Sequence, residues 1–192
     1  MRHLFASAAF LALSAGTALA AEPIGDWLVK DGYANIRIDI CNGKLWGIVA
    51  WEKEAGVDKE NPDPAKKTRA TLGMPVLMGL AHAKPNRWEG EIYNSNNGKM
   101  YTANVSLADE NTLDVEGCLI WPACRTQKWT RVRTPPANAV PLPPINSTAV
   151  PPAKQLPAKK GVPPPAQAAA PSDTCLRVAD EAAAAEKLRA KK

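Results

Sequence analysis

Trp88 to Leu107, WEGEIYNSNNGKMYTANVSL, alternates with a period of two on both sides of an Asn/Gly cluster. Trp88, Gly90 and Ile92 fall on one parity, and Glu89, Glu91 and Tyr93 on the other. After the cluster, Tyr101, Ala103, Val105 and Leu107 alternate with Thr102, Asn104 and Ser106. Such a period places alternate residues on opposite faces of a strand, as a half-buried sheet requires. Asn94-Ser95-Asn96-Asn97-Gly98 supplies the residues that tolerate the positive φ of hairpin turns. The stretch is predicted to be a β-hairpin.

The same pattern recurs along the chain. Gly25 to Lys30 reads as a short strand, followed by an Asp31-Gly32 turn. Tyr33 to Ile40 puts Ala34, Ile36, Ile38 and Ile40 on one face. After Asn42-Gly43, Lys44 to Trp51 points Leu45, Gly47, Val49 and Trp51 one way. Glu52 to Arg69 is polar and broken by Asn61-Pro62-Asp63-Pro64, so a solvated surface loop is expected. Its acids Asp58, Glu60 and Asp63 fail the spacing of a calcium loop. Leu72 to Leu80 is the most apolar piece, but Pro75 and two glycines argue for a broken edge strand or a flap over an apolar opening. Thr112 to Leu119 directs Leu113, Val115, Gly117 and Leu119 inward, and Cys124 to Val132 is the last strand. The fold class expected is all-β, a small antiparallel up-and-down barrel of about eight strands, closed because closure removes exposed edges.

The chain opens with basic Arg2 and His3, a short apolar run from Leu4 to Leu13, and Ala18-Leu19-Ala20, the form of a cleavable export signal. The expected organisation is therefore a signal peptide over 1–20, cleaved near Ala20, and a barrel domain over 21–133. A Pro-rich linker over 134–173 and a short Ala/Lys-rich helix or tail over 174–192 follow. Twelve of the 18 prolines lie from Pro135 to Pro171, a composition that favours extended chain. Asp173-Thr174 is placed to cap a helix running to Ala190. No later run is long and apolar enough for a transmembrane segment, so a periplasmic or secreted protein is expected.

Charge narrows the partners. Residues 22–134 carry 15 Lys+Arg against 15 Asp+Glu, whereas the remainder to the C-terminus carries 8 against 4. A neutral barrel argues against nucleic acid, whose binding needs clustered cations. The basic tail is the candidate contact for an anionic envelope surface. His82 is the one histidine after the signal segment, which removes multi-histidine metal sites. No phosphate loop or nucleophile elbow occurs, so no enzyme and no cofactor are expected.

Four cysteines in an exported chain are expected to pair. Cys118 and Cys124 flank a five-residue turn and face each other across the last hairpin, so a structural disulfide is predicted. Closing so short a loop stabilises by about 2 kcal/mol. Cys41 and Cys175 remain, either to pair and pin the tail or to leave Cys175 for an intermolecular link. Trp27 and Arg131 lie on the first and last strands and meet only if the sheet closes, with Trp129 on the face of Arg131. Their stacking serves either closure of the barrel end or a grip on a ligand.

Gly25-x-Trp27, Leu45-Trp46-Gly47-Ile48-Val49-x-Trp51, Asn61-Pro62-Asp63-Pro64, Trp88-x-Gly90-x-Ile92-Tyr93-Asn94, Gly98-Lys99-x-Tyr101 and Trp129-Thr130-Arg131 together resemble the bacterial exported family called domain of unknown function 2147. The resemblance covers about Ile24 to Val132. It implies a lipocalin-like barrel in the periplasm or outside the cell, with no established activity. The Gly-x-Trp and terminal Arg are similar to the signature of lipocalins at large. Many relatives carry a second cysteine where this chain has Trp46, and its absence leaves Cys41 without the partner the family implies.

An eight-stranded barrel is either filled by side chains or holds one small ligand. The inward set expected to line such a ligand is Trp27, Ile36, Ile38, Trp51, Trp88, Tyr101, Val115 and Trp129, with Arg131. It suits a small apolar or amphipathic guest. The alternative is a plugged barrel acting as a rigid envelope head, with the tail making the contacts.

Overall fold

The computed structural model describes residues 22–120, 122–143 and 172–189. The export signal expected over 1–20 and most of the Pro-rich linker expected over 134–173 lie outside them. Eight strands form: β1 (Gly25–Leu28), β2 (Ala34–Cys41), β3 (Lys44–Glu52), β4 (Pro75–Lys84), β5 (Arg87–Asn94), β6 (Lys99–Asp109), β7 (Thr112–Ile120) and β8 (Ala123–Val132). Each pairs antiparallel with the next, and β1 pairs back onto β8 through Asp26↔Val132, Trp27↔Arg131 and Leu28↔Thr130. The sheet is a closed barrel.

Closure corrects one expectation. Pro75 opens β4, where no ladder donor is needed, and the strand lies between β3 and β5 rather than at an edge. Asn94 to Gly98 turns as expected, with Gly98 at φ 66. A Cβ there would lie 1.9 Å from the Glu60 carbonyl oxygen, so only glycine lets the long β3–β4 connection rest on this turn.

The up-and-down order gathers the connections after β1, β3, β5 and β7 at one end, and the N-terminus with the turns after β2, β4 and β6 at the other. Trp27, Ile38, Leu45, Leu80, Val105 and Leu113 are buried to 1 % exposure or less. Ile40 and Leu119 share the inward parity of their strands yet are exposed, because each sits at the last turn of the wall.

Trp51 is a second correction. Ile36 pairs with Val49 but Asn35 pairs with Trp51, so a bulge leaves Ala50 extra on β3. Beyond it the parity reverses, and Trp51 shares the outer face with Asn35. The sequence alternation runs on unbroken through this point, so it placed Trp51 inside.

Outside the wall, α1 (Asp173–Arg189) packs on β2, β3 and β4. It buries Val178 against Cys41, Trp46 and Ile48, and a Cys41–Cys175 disulfide fastens it. Of the two fates open to these cysteines, they pair with each other and pin the tail. The cap falls one residue earlier than expected: the Ser172 hydroxyl accepts from the Cys175 N–H at 3.2 Å, and Asp173 pairs with Arg177 at 2.9 Å. A helix of 17 residues is marginal alone, and here it gains tertiary burial and a covalent tether. The second disulfide, Cys118–Cys124, joins register partners on β7 and β8, as predicted.

Gly90 tests the packing. A Cβ would come within 2.7 Å of Leu80 Cα and 2.9 Å of its Cγ. Gly90→Ala must shift the β4 backbone and should cost about 1–3 kcal/mol in denaturant unfolding. An unchanged midpoint would show that β4 and β5 are less tightly apposed than described.

Candidate functional site

The closed end is built around Trp27 and Arg131. The Arg131 Cζ lies 4.1 Å from the centroid of the fully buried Trp27 ring. Its guanidinium donates to the carbonyls of Ile24 at 2.7 Å, Glu22 at 3.1 Å and Glu110 at 2.7 Å. Trp27 Nε1 donates to the Pro23 carbonyl at 2.8 Å. Burial, and next the charge of Arg133, lower the Arg131 pKa. Gly25 holds φ 124, and a Cβ on it would sit 3.0 Å from Arg131 Nη1, which accounts for glycine two residues before the indole. The pair closes the barrel.

The other end is hollow. A cavity of about 770 Å³ opens to solvent there. Its wall is apolar, formed by Ile36, Val49, Val76, Ile92, Val115 and Trp129. Its rim is polar, with Asp31, Tyr33, Asn94, Tyr101, Arg125 and Gln127. Trp129 Nε1 donates to Gln127 Oε1 at 3.2 Å, and Asn97 donates to the Tyr101 hydroxyl at 2.9 Å. Asp31 and Arg125 are the charged residues of this lining, and Arg125 has no carboxylate partner among the described residues.

The residues expected to meet a ligand therefore divide. Ile36, Tyr101, Val115 and Trp129 line the cavity. Trp27 and Ile38 are buried in the core, and Trp88 packs against that core with its ring centroid 5.5 Å from that of His82. Arg131 sits at the closed end, and Trp51 is on the outer face. Val49, Ile92 and Gly117 lie on parities already read as inward. Arg125 and Gln127 share the parity of Trp129, a signal that alternation alone carries.

One wall of the cavity is braced by the long connection. Asp58 is fully buried, contrary to the solvated loop expected. Its carboxylate accepts from Tyr93 Oη at 2.7 Å and Asn61 Nδ2 at 2.6 Å, and pairs with Arg69 at 2.9 Å. Arg69 and Lys66 in turn reach Glu181 of α1 at 3.4 Å and 2.6 Å. A buried carboxylate needs such partners. Tyr93 itself borders the cavity, and burial together with its hydrogen bond to Asp58 pushes its pKa up to about 12. The one close group of His, Cys, Asp or Glu among the described residues, Glu116 with Cys118 and Cys124, has both sulfurs committed to the disulfide.

Over residues 25–131 the sequence matches the family described as "Uncharacterized protein conserved in bacteria (DUF2147)". In structure the barrel is similar to protein HP1028 from the human pathogen Helicobacter pylori, described as belonging to the lipocalin family. The TM-score is 0.54 at 21% identity, covering 58% of this chain and 84% of that one. No curated protein matches in sequence.

Tyr93 supplies a pH test. Its phenol holds the proton more tightly in the folded state, so its contribution is full below the ordinary tyrosine range near 10 and is lost as pH rises through about 12. Stability should fall across that window, and Tyr93→Phe should flatten the fall. An absorbance titration in which all three tyrosines ionise together near 10 would contradict the Asp58 contact.

Proposed function

The chain belongs to the bacterial family described as "Uncharacterized protein conserved in bacteria (DUF2147)", and from that footing we propose that it is an exported binding protein for one small apolar or amphipathic ligand. The cavity carries this reading. Its volume of about 770 Å³ falls within the range of sites for small molecules, roughly 300–1,000 Å³. An apolar wall with a polar rim matches a guest with a hydrocarbon body and a polar end. Arg125 at the rim, without a carboxylate partner among the described residues, favours a negative end.

Binding fits this lining better than turnover. Among the described residues Asp31 and Arg125 are the charged groups of this lining, and the Tyr93 hydroxyl is committed to Asp58. Two disulfides support an oxidising compartment, the periplasm or the outside of the cell. The alternative of a rigid head whose tail meets an anionic envelope surface has weaker support, because α1 turns its apolar face to the barrel wall. Deleting Pro135 to Lys192 would also uncover Trp46 and Ile48, so filling the cavity is the cleaner test.

Gly117 lines the cavity, and a Cβ there meets Ile92 Cγ2 at 3.5 Å and Tyr101 Cβ at 3.8 Å, ordinary contacts. Gly117→Phe should fold and fill the space. Titrated with an anionic fluorescent amphiphile, it should lose binding. Arg125→Gln should weaken that probe by about tenfold, near 1.4 kcal/mol, and leave a neutral analogue unchanged. Equal binding by Gly117→Phe and the unaltered chain would overturn the reading.

A further inference from the structure

Exposed apolar side chains are spread unevenly over the barrel. Among the described residues eight large ones are exposed, and five of them, Tyr33, Val57, Met100, Leu119 and Ile120, belong to the open end. Leu119 is 54% exposed and Ile120 is 72% exposed, at the tip of the β7–β8 hairpin. Single apolar residues on a surface are ordinary, but a group at one mouth marks a contact.

Two hairpin tips bring the most prominent of them together. Thr102 pairs with Cys118, and that antiparallel register, continued by two residues, carries Met100 to the level of Ile120. Tyr101 lines the cavity, so Met100 lies on the outward parity of β6. Leu119 both lines the cavity and meets solvent. Through it the apolar lining continues onto this lip.

Charge sets the lip apart from the rest of the mouth. Residues 94–103 and 117–127, which form it, contain Lys99 and Arg125 and no Asp or Glu. Neither cation has a carboxylate partner among the described residues. Elsewhere the rim is mixed, with Lys30 beside Asp31 after β1, and Lys53 and Lys59 beside Glu54 and Glu60 after β3. Apolar tips flanked by unopposed cations suit the interface of an anionic bilayer, where side chains enter the headgroup boundary and cations meet phosphates. A stable protein interface takes about 800 Å² from each partner, and three side chains on two hairpin tips supply only part of that.

We propose that this lip, formed by the β5–β6 and β7–β8 turns, seats the mouth of the barrel on an anionic lipid bilayer. Met100, Leu119 and Ile120 enter the headgroup boundary, and Lys99 and Arg125 meet lipid phosphates. The proposal rests on the reading of the cavity as a site for an amphipathic guest, and names the surface at which that guest is exchanged. With the mouth seated, a hydrocarbon body passes between the acyl layer and the apolar wall without crossing water. A contact of three side chains and two cations is weak, which lets the barrel leave with its guest.

The full mature chain is sedimented with vesicles of phosphatidylcholine alone or mixed with phosphatidylglycerol. Binding to the anionic vesicles is expected, falling as salt rises. Met100→Gln combined with Ile120→Asn should weaken it about tenfold, and Lys99→Gln about fivefold. Both variants should hold the anionic fluorescent amphiphile in solution as tightly as the unaltered chain, which also reports an intact barrel. Gly117→Phe should do the reverse, keeping the vesicles and losing the amphiphile, so failure of the cavity reading and failure of docking are told apart. The basic tail is a second route to an anionic surface, so orientation is read separately. In anionic bicelles containing a spin-labelled phospholipid, the amide peaks of Gly98, Lys99 and Ile120 should broaden more than those of Cys41, Asn42 and Gly43 at the closed end. Absence of binding to the anionic vesicles overturns the proposal. So does binding undiminished by Met100→Gln with Ile120→Asn, or broadening centred on the closed end or on α1.

Discussion

The stack of Arg131 on Trp27 is the contact on which the barrel depends. β1 has only four residues and meets β8 through three register pairs, so its ladder alone is a weak seam. The cation–π attraction adds about 0.5–2 kcal/mol. Arg131 does more through its three carbonyl partners, which fasten residues 22–24 and the β6–β7 turn around one cation. Without that knot β1 and β8 would be open edges, and the interior would have no floor.

With the floor in place, side-chain size is graded along the axis. Trp27, Leu45, Leu80 and Leu113 fill the closed half, whereas medium branched residues such as Val49, Val76 and Val115 line the open half. The filled and hollow readings of an eight-stranded barrel both hold here, one for each end. The outward turn of Trp51 contributes, since an indole at that height would otherwise reach toward the mouth.

Where the sequence was legible, the reason is local. Alternation and Asn/Gly turns are written within each hairpin, so the strands, their order and the Cys118–Cys124 pairing could be read directly. Trp27 and Arg131 were readable as partners because only closure joins the first strand to the last. The failures are non-local. Nothing between Lys44 and Trp51 announces the extra residue at Ala50, which is set by the register of β2. Asp58 reads as solvated because one of its partners, Tyr93, lies 35 residues away. Only Cys175 hinted that the alanine-rich end would dock, and its choice of Cys41 depended on where the helix came to rest. Of the cavity, the apolar wall was partly legible, while the polar rim belongs to positions near strand ends where inward parity no longer means burial.

The Cys41–Cys175 bond spans 134 residues, so β3 to β8 lie inside one covalent ring while β1 and β2 lead into it. Cutting the backbone anywhere between β8 and α1 would open that ring without freeing either piece. Scission there would leave two chains that the disulfide holds together until a reductant arrives.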